Sequence, residues 1–272
     1  WQKASSPYWI ERSIRVAPGV NLTVLEGVEV RFNGPYWLYV EGNLTAQGTA
    51  LEPVTFTSNI SAPSPADWLN VMVNSTGRVR VENASFSYGN APFIFYYSES
   101  NIMINCTFHD NFDPITVFHS NNNTFSRIEV RDNPNDAGMI IEDSQENQIL
   151  NSTFVNNKYG IALRIGASNN TITHNRVRNH STYGVETEAG SFSNLIFHND
   201  FINNTISGRD GSGGNNLWDK GYPAGGNYWD DYSGVDSFSG PNQDQPGSDG
   251  IGDSWYSVAP SGIDHYPSMD PF

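Results

Sequence analysis

The run Asn101-Ile-Met-Ile-Asn-Cys-Thr-Phe108-His-Asp-Asn111 returns as Asn123-Thr-Phe-Ser-Arg-Ile-Glu-Val130-Arg-Asp-Asn133, and again as Asn147-Gln-Ile-Leu-Asn-Ser-Thr-Phe154-Val-Asn-Asn157. Two further copies span Asn170 to His180, with Val177 in the Phe position, and Asn194 to Asn204, with Phe201. The period is 22 to 24 residues. Each copy is too short to bury a core alone, so the repeat predicts a solenoid in which one coil stacks on the next.

Between the copies lies a second apolar segment in constant register: Ile115 and Val117, Met139 and Ile141, Ile161 and Leu163, Val185 and Thr187. Steps of two are strand periodicity, and no window sustains helical spacing over three turns. The coil is therefore built of short strands only. Gly138, Gly160 and Gly184 fall just before these segments, and Asn111, Asn133, Asn157 and Asn204 close the preceding ones. We expect tight or left-handed backbone at these positions, where Gly and Asn are favoured. Stacked coils would set each Asn over another roughly 4.8 Å away, allowing amide side chains to bond along the stack. The fold expected is all-β, a single-stranded parallel β-helix. A leucine-rich repeat is excluded, because its Leu-x-x-Leu-x-Leu pattern is missing.

Upstream, Ser13 to Ser58 alternates apolar and polar residues between Pro/Gly turns, as in Ile14-Arg-Val16-Ala-Pro-Gly-Val20-Asn-Leu22-Thr-Val24 and Gly27-Val28-Glu-Val30-Arg-Phe32. Leu38-Tyr-Val40-Glu-Gly42-Asn-Leu44 and Pro53-Val54-Thr-Phe56-Thr-Ser58 continue it. Residues 59–100 carry the coils on less regularly, with a loop at Ile60 to Ala66 and Trp68 at the wall. Tyr96 and Tyr97, at the end of that section, read as packing or turn residues. We expect a β-helix over 1–216 (N-terminal coils 13–58, loop-bearing coils 59–100, regular Asn-rich coils 101–207) and a C-terminal cap over 217–272. In that last section the repeat gives way to Gly226-Asn-Tyr-Trp229-Asp-Asp-Tyr232, Asp249-Gly-Ile-Gly-Asp253 and Ile263-Asp-His-Tyr-Pro267. A cap covers the unpaired edge of the last coil, and Trp218, Tyr228, Trp229, Tyr232, Trp255, Tyr256 and Tyr266 supply the apolar surface for it.

The N-terminal run, the Asn repeats and this ending together resemble right-handed parallel β-helix surface proteins of the NosD-like, carbohydrate-binding and sugar-hydrolase superfamily, of the kind found in archaea. The resemblance covers nearly the whole chain. It implies a secreted β-helix and leaves open surface-structural, polysaccharide-directed and copper-handling roles.

Composition narrows the partners. Against 29 Asp and Glu stand 14 Lys and Arg, a net charge of −15, which argues against nucleic acid or an anionic membrane surface. No apolar run is long enough to span a bilayer. The chain opens at Trp1 without a hydrophobic leader, from which we expect a mature form. Eleven Asn-x-Ser/Thr triplets, at Asn21, Asn43, Asn59, Asn74, Asn83, Asn105, Asn122, Asn151, Asn169, Asn179 and Asn203, are candidate glycosylation sites and favour an extracellular, cell-surface location. Cys106, the only cysteine, reads as a small filler at the coil wall.

Three constellations could carry chemistry. Asp244, Asp249 and Asp253 offer carboxylates around Gly turns to Ca²⁺, the one cofactor the residues suggest; Gly247 and Gln245 occupy positions where further acids would be needed. In register, Glu142, Arg164 and Glu188 form one outward column with Glu186 alongside. This reads first as a ladder of alternating sign and otherwise as the acids of a polysaccharide-cleaving site. His174 and His198 share a column above Asn151, and Arg176 stacks with Asp200. Pectinase and pectate-lyase signatures, nucleophile elbows and His-Glu-x-x-His are absent. No catalytic set is therefore assigned, and Glu142, Glu186 and Glu188 stand as fallback candidates. The leading expectation is a non-enzymatic surface protein, structural or adhesive, that self-associates or joins other surface proteins in a larger assembly. The alternatives are a polysaccharide-binding or -cleaving protein (a glycoside hydrolase or polysaccharide lyase) and a copper-handling protein.

Overall fold

A computed structural model describes all residues, Trp1–Phe272. Three parallel sheets run the length of the molecule. The first has ten strands, from Tyr8–Ile10 to Tyr228–Trp229; the second nine, from Ile14–Val16 to Ile206–Asp210; the third eight, from Asn21–Leu25 to Leu195–Phe197. Each coil gives one strand to each sheet in turn, so this is the expected right-handed parallel β-helix. Strand partners are the residues one period away: Phe86 pairs with Phe108, Met103 with Phe125 and Ile161 with Val185.

Alternation explains the core. Inward positions from all three sheets form one continuous buried cluster that includes Phe56, Phe86, Phe108 and Phe154. Phe56, Phe86 and Phe108 lie face to face, with ring centroids 4.9 and 4.7 Å apart. Trp68, after the 59–66 loop, is fully enclosed; it stacks on Phe32 at 4.3 Å and donates its indole N–H to the Ser87 carbonyl.

The corners are where asparagine acts. Asn101, Asn123, Asn147, Asn170, Asn194 and Asn216 form a buried ladder in which each Nδ2 donates to the next Oδ1 at 2.8–3.0 Å. The same Oδ1 also accepts the backbone N–H of the preceding rung, as Asn170 does from Asn147 at 2.9 Å. Corner backbone groups that no strand can pair are thus satisfied internally. Asn175, Asn199 and Asn227 build a second ladder, with Ser152, Ile128 and Cys106 completing its column. Asn111, Asn133, Asn157, His180 and Asn204 build a third.

One expectation shifts by a residue. The left-handed position is not the ladder residue but the one before it: Asp110, Asp132, Asn156, Asn179 and Asn203 at one corner, Asn83, Asn105, Arg127, Asn151, His174 and His198 at another. A ladder amide has to point inward, and the residue before it supplies the turn. The glycines also differ. Gly138, Gly160 and Gly184 lie inside strands and without positive φ. A Cβ on Gly138 would sit 2.8 Å from the Gly160 carbonyl oxygen, and one on Gly160 or Gly184 would press closer still on the Gly184 or Ser207 carbonyl. Close stacking of coils, and not turn geometry, demands glycine there.

This corner grammar also accounts for most of the Asn-x-Ser/Thr triplets. The left-handed Asn is followed by an inward ladder residue and then by an outward strand residue, often Thr. Seven of the eleven triplet asparagines occupy such left-handed corners. Asn105, Asn122, Asn151, Asn169, Asn179 and Asn203 are exposed there.

Residues 217–272 continue the core aromatic stack past the last coil. Trp229 lies on Phe201 at 4.3 Å and Tyr256 on Trp229 at 4.2 Å. The fully buried Asp264 carboxylate collects N–H groups from Asn227, Trp229 Nε1 and Tyr266. Burial pushes this carboxyl up to about 7. No helix is long and apolar enough to cross a membrane.

Candidate functional site

The outward face of the second sheet carries the acid column expected from the repeat and, in line with it, an aromatic pair. Along one edge Tyr96, Phe118 and Glu142 are strand partners. The adjoining register, Ile141 to Leu163 to Thr187, brings Arg164 and Glu188 next in the same column. An aromatic half and a charged half therefore form one continuous strip.

In the aromatic half, Tyr96 and Phe118 stack at 5.6 Å with planes 8° apart, and Tyr97 stacks on His119 at 4.5 Å. Tyr96 meets Tyr97 edge to face at 4.7 Å. These tyrosines do pack on their neighbours, yet Tyr96 is 39% and Tyr97 47% exposed. His119 Nδ1 is held by Asp143 Oδ2 at 2.7 Å. The group is a fixed, solvent-facing aromatic surface.

In the charged half, the expected ladder of alternating sign is only partly formed. Arg164 lies 3.8 Å from Glu188, but its other partner is Asp136, 3.7 Å away, and not Glu142. Asp136 precedes the strand Ala137–Glu142, whereas Arg164 follows the strand Tyr159–Leu163. The guanidinium therefore reaches back across the outer sheet face. Ala137, Ile140 and Ala162 form a small buried cluster on that face, with Tyr159 packed against it. A long Arg stem suits this role, covering apolar surface while its head stays polar. Glu142 makes no ion pair, Glu186 is bonded to Arg209 at 2.8 Å, and Arg209 sits over the Tyr183 ring. Burial raises the Glu186 pKa, with Arg209 opposing.

Asp113 was not singled out from the sequence, although its place one period before Ala137 would have put it here. Its Oδ1 is enclosed and has no hydrogen-bond partner. Burial first, then the neighbouring Asp136 carboxylate, push the Asp113 carboxyl up to about 7, with Arg164 pulling the other way.

The other constellations are looser. His174 and His198 do share a column, ring centroids 5.1 Å apart, and Arg176 lies 3.6 Å from Asp200. They line a polar cavity of about 300 Å³ that the Phe272 ring closes on one side. His198 Nε2 is engaged by the Ala224 carbonyl, and Asp200 accepts the Phe272 N–H. In the C-terminal section Asp249 and Asp253 turn their carboxylates to backbone N–H groups: Asp249 to Gly240 and Ile251, Asp253 to Ser237 and Phe238. The Asp244 side chain makes no hydrogen bond and joins no cluster of three acids with them. No three His, Cys, Asp or Glu side chains converge as metal ligands anywhere in the chain. The Cys106 thiol is buried against the Ile104 and Val81 carbonyls, and burial pushes it up to about 12.

The family model described as "Periplasmic copper-binding protein (NosD)" matches residues 42–234. Among solved structures, the chain is similar to an alginate lyase from Paenibacillus sp. str. FPU-7, with a TM-score of 0.45 and 11% identity over 68% of this chain and 76% of that one. It is also similar to the periplasmic alginate epimerase AlgG, with a TM-score of 0.44 and 14% identity over 70% of this chain and 57% of that one. The chain thus spans a little over half the epimerase's length. No curated protein matches the sequence.

Proposed function

The chain belongs to the NosD family, and from that premise we propose that it works outside the cytoplasm as a polysaccharide-binding, adhesive β-helix whose binding face is the outer surface of the second sheet. The observation that carries this reading is the unbroken strip from Tyr96 and Phe118 to Glu142, Arg164 and Glu188. Aromatic surface and acceptor groups side by side are what a sugar requires. Its C–H faces pack on rings and its hydroxyls donate to carboxylates. Tyr96, Phe118 and Glu142 are strand residues and Arg164 and Glu188 directly follow strands, so the backbone under the strip is held in shape before any ligand arrives.

The family description names copper. The donors of this chain fit a copper ion poorly: burial keeps the one thiol protonated, Met103 and Met139 are sealed in the core while Met72 and Met269 lie far apart in the sequence, and no three His, Cys, Asp or Glu side chains converge.

The test is retention on immobilised or gel-embedded polysaccharides by the wild type and a Tyr96→Ala, Phe118→Ala double variant. Both residues lie outside the core ladders, so the variant should melt close to the wild type. We expect retention to drop at least tenfold. Retention unchanged in a folded double variant would place binding elsewhere and sink this reading.

A further inference from the structure

Resting on the second sheet as the binding face, we infer that the polymer it takes is uncharged, and that polyuronates and other anionic polysaccharides are excluded. Recognition of a uronate needs a cation free to meet its carboxylate, in the best case a forked guanidinium. The guanidinium groups on the strands of this face, or directly after them, stand beside acids. Arg15 is paired with Glu41, Arg164 is shared between Asp136 and Glu188, Arg209 is bonded to Glu186, and Lys158 lies 5.3 Å over the Tyr159 ring. The His119 imidazole, which could add a charge on protonation, already faces Asp143. A uronate approaching Arg164 or Arg209 meets the carboxylates of Asp136 and Glu188 or of Glu186 beside it.

The acceptors are arranged the opposite way. Glu142 sits between the Phe118 ring and Arg164 with neither an ion pair nor a side-chain hydrogen bond. A carboxylate oxygen accepts hydrogen bonds, so this half-buried side chain is open to a donor. Sugar hydroxyls are donors, whereas a uronate carboxylate is a second acceptor of the same sign. Glu186 and Glu188, two residues apart on one strand end, and Asp136 extend the negative field over the same area. A chain of net charge −15 adds a repulsive background for any polyanion. The aromatic half carries no charge requirement and fits the apolar face of a neutral pyranose.

Affinity electrophoresis through gels containing soluble neutral polymers (hydroxyethylcellulose, xyloglucan) or polyuronates (alginate, polygalacturonate), at low and high salt, tests the inference. The expected result is retardation by at least one neutral polymer, insensitive to salt, and at least tenfold weaker retardation by the polyuronates. Glu142→Arg, which removes the unpaired acceptor and supplies a free guanidinium, should reverse the preference, and a Glu142→Gln control should keep it. Salt-sensitive retardation of the wild type by polyuronates alone, abolished in the Tyr96→Ala, Phe118→Ala variant, would overturn the charge inference while leaving the binding face standing. Retardation by neither class would overturn both.

Discussion

His180 occupies a rung that asparagine holds elsewhere in its ladder, between Asn157 and Asn204. Its Nδ1 accepts the Asn157 N–H at 3.2 Å and its own N–H donates to Asn204 Oδ1, but its Nε2 has no partner and the residue is 1% exposed. Burial lowers its pKa from 6.5 to about 4, against the opposing pull of the Asn157 and Phe154 backbone. The unfolded chain takes up this proton near 6.5 and the folded chain only near 4. Between these values the unfolded state binds more protons, so stability rises with pH. The linkage integral gives a loss of about 2.5 kcal/mol from this one group on going from about pH 7.5 to about pH 4.5. His180→Asn restores the ladder residue, keeps an acceptor for Asn157 and removes the titration. Asp113 and Asp264, raised to about 7, act in the opposite sense, favouring the fold as pH falls, but they are common to both proteins and cancel in the comparison. Denaturant unfolding of wild type and variant across this range should show curves within about 1 kcal/mol of each other near neutrality, the variant gaining about 2 to 3 kcal/mol on the wild type at the acid end. Parallel pH profiles would refute the placement of a neutral, unpartnered imidazole in the ladder.

Asn170→Ala should cost about 3–4 kcal/mol, because Asn170 bonds to Asn147, Asn194 and Ser144 while fully buried. Its neighbour Asn169→Ala should cost only about 1 kcal/mol, the penalty of a left-handed turn without Asn; equal melting temperatures would sink the corner grammar. Asp113→Asn should stabilise the protein at alkaline pH and lose that advantage at acid pH. A raised carboxyl contributes stability below its unfolded value and forfeits it as pH rises through about 7; a pH-independent difference would contradict its enclosure. Chelating calcium should leave the melting temperature unchanged, since Asp249 and Asp253 are already bonded to backbone N–H groups; a marked drop would show that these acids hold an ion. Ile172→Asp should unfold several coils together, because a charge would enter a continuous core, and loss of only local structure on hydrogen exchange would argue against that coupling.

The period of 22 to 24 residues, the alternation within it and the recurring Asn were enough to assign a parallel β-helix and its inward residues, because in a solenoid every long-range contact is a contact one period away. Strand pairs such as Phe86 with Phe108 and Ile161 with Val185 could be read off the repeat, and so could the column of Glu142, Arg164 and Glu188. Backbone conformation at the corners was less legible. Whether a corner turn is made by the ladder residue, such as Asn111, or by Asp110 before it depends on which side chain must face inward to receive an N–H from the neighbouring coil. Periodicity is blind to that choice.

Side-chain direction on the outer face was settled only in three dimensions. Two extra residues in the coil holding Asp136 let that acid overhang the sheet and draw Arg164 away from Glu142, turning an expected ladder into a crossing pair with an unpaired Glu142 beside it. The enclosure of Asp113 has the same origin, since desolvation is a property of what surrounds a group and not of the group's own place in the repeat. The order of residues along the chain sufficed for the coil, its register and its inward face, because burial alternates with backbone geometry. Which outward charges meet was left to the folded molecule, because long polar side chains choose their partners by reach and desolvation across coils, and no period records that choice.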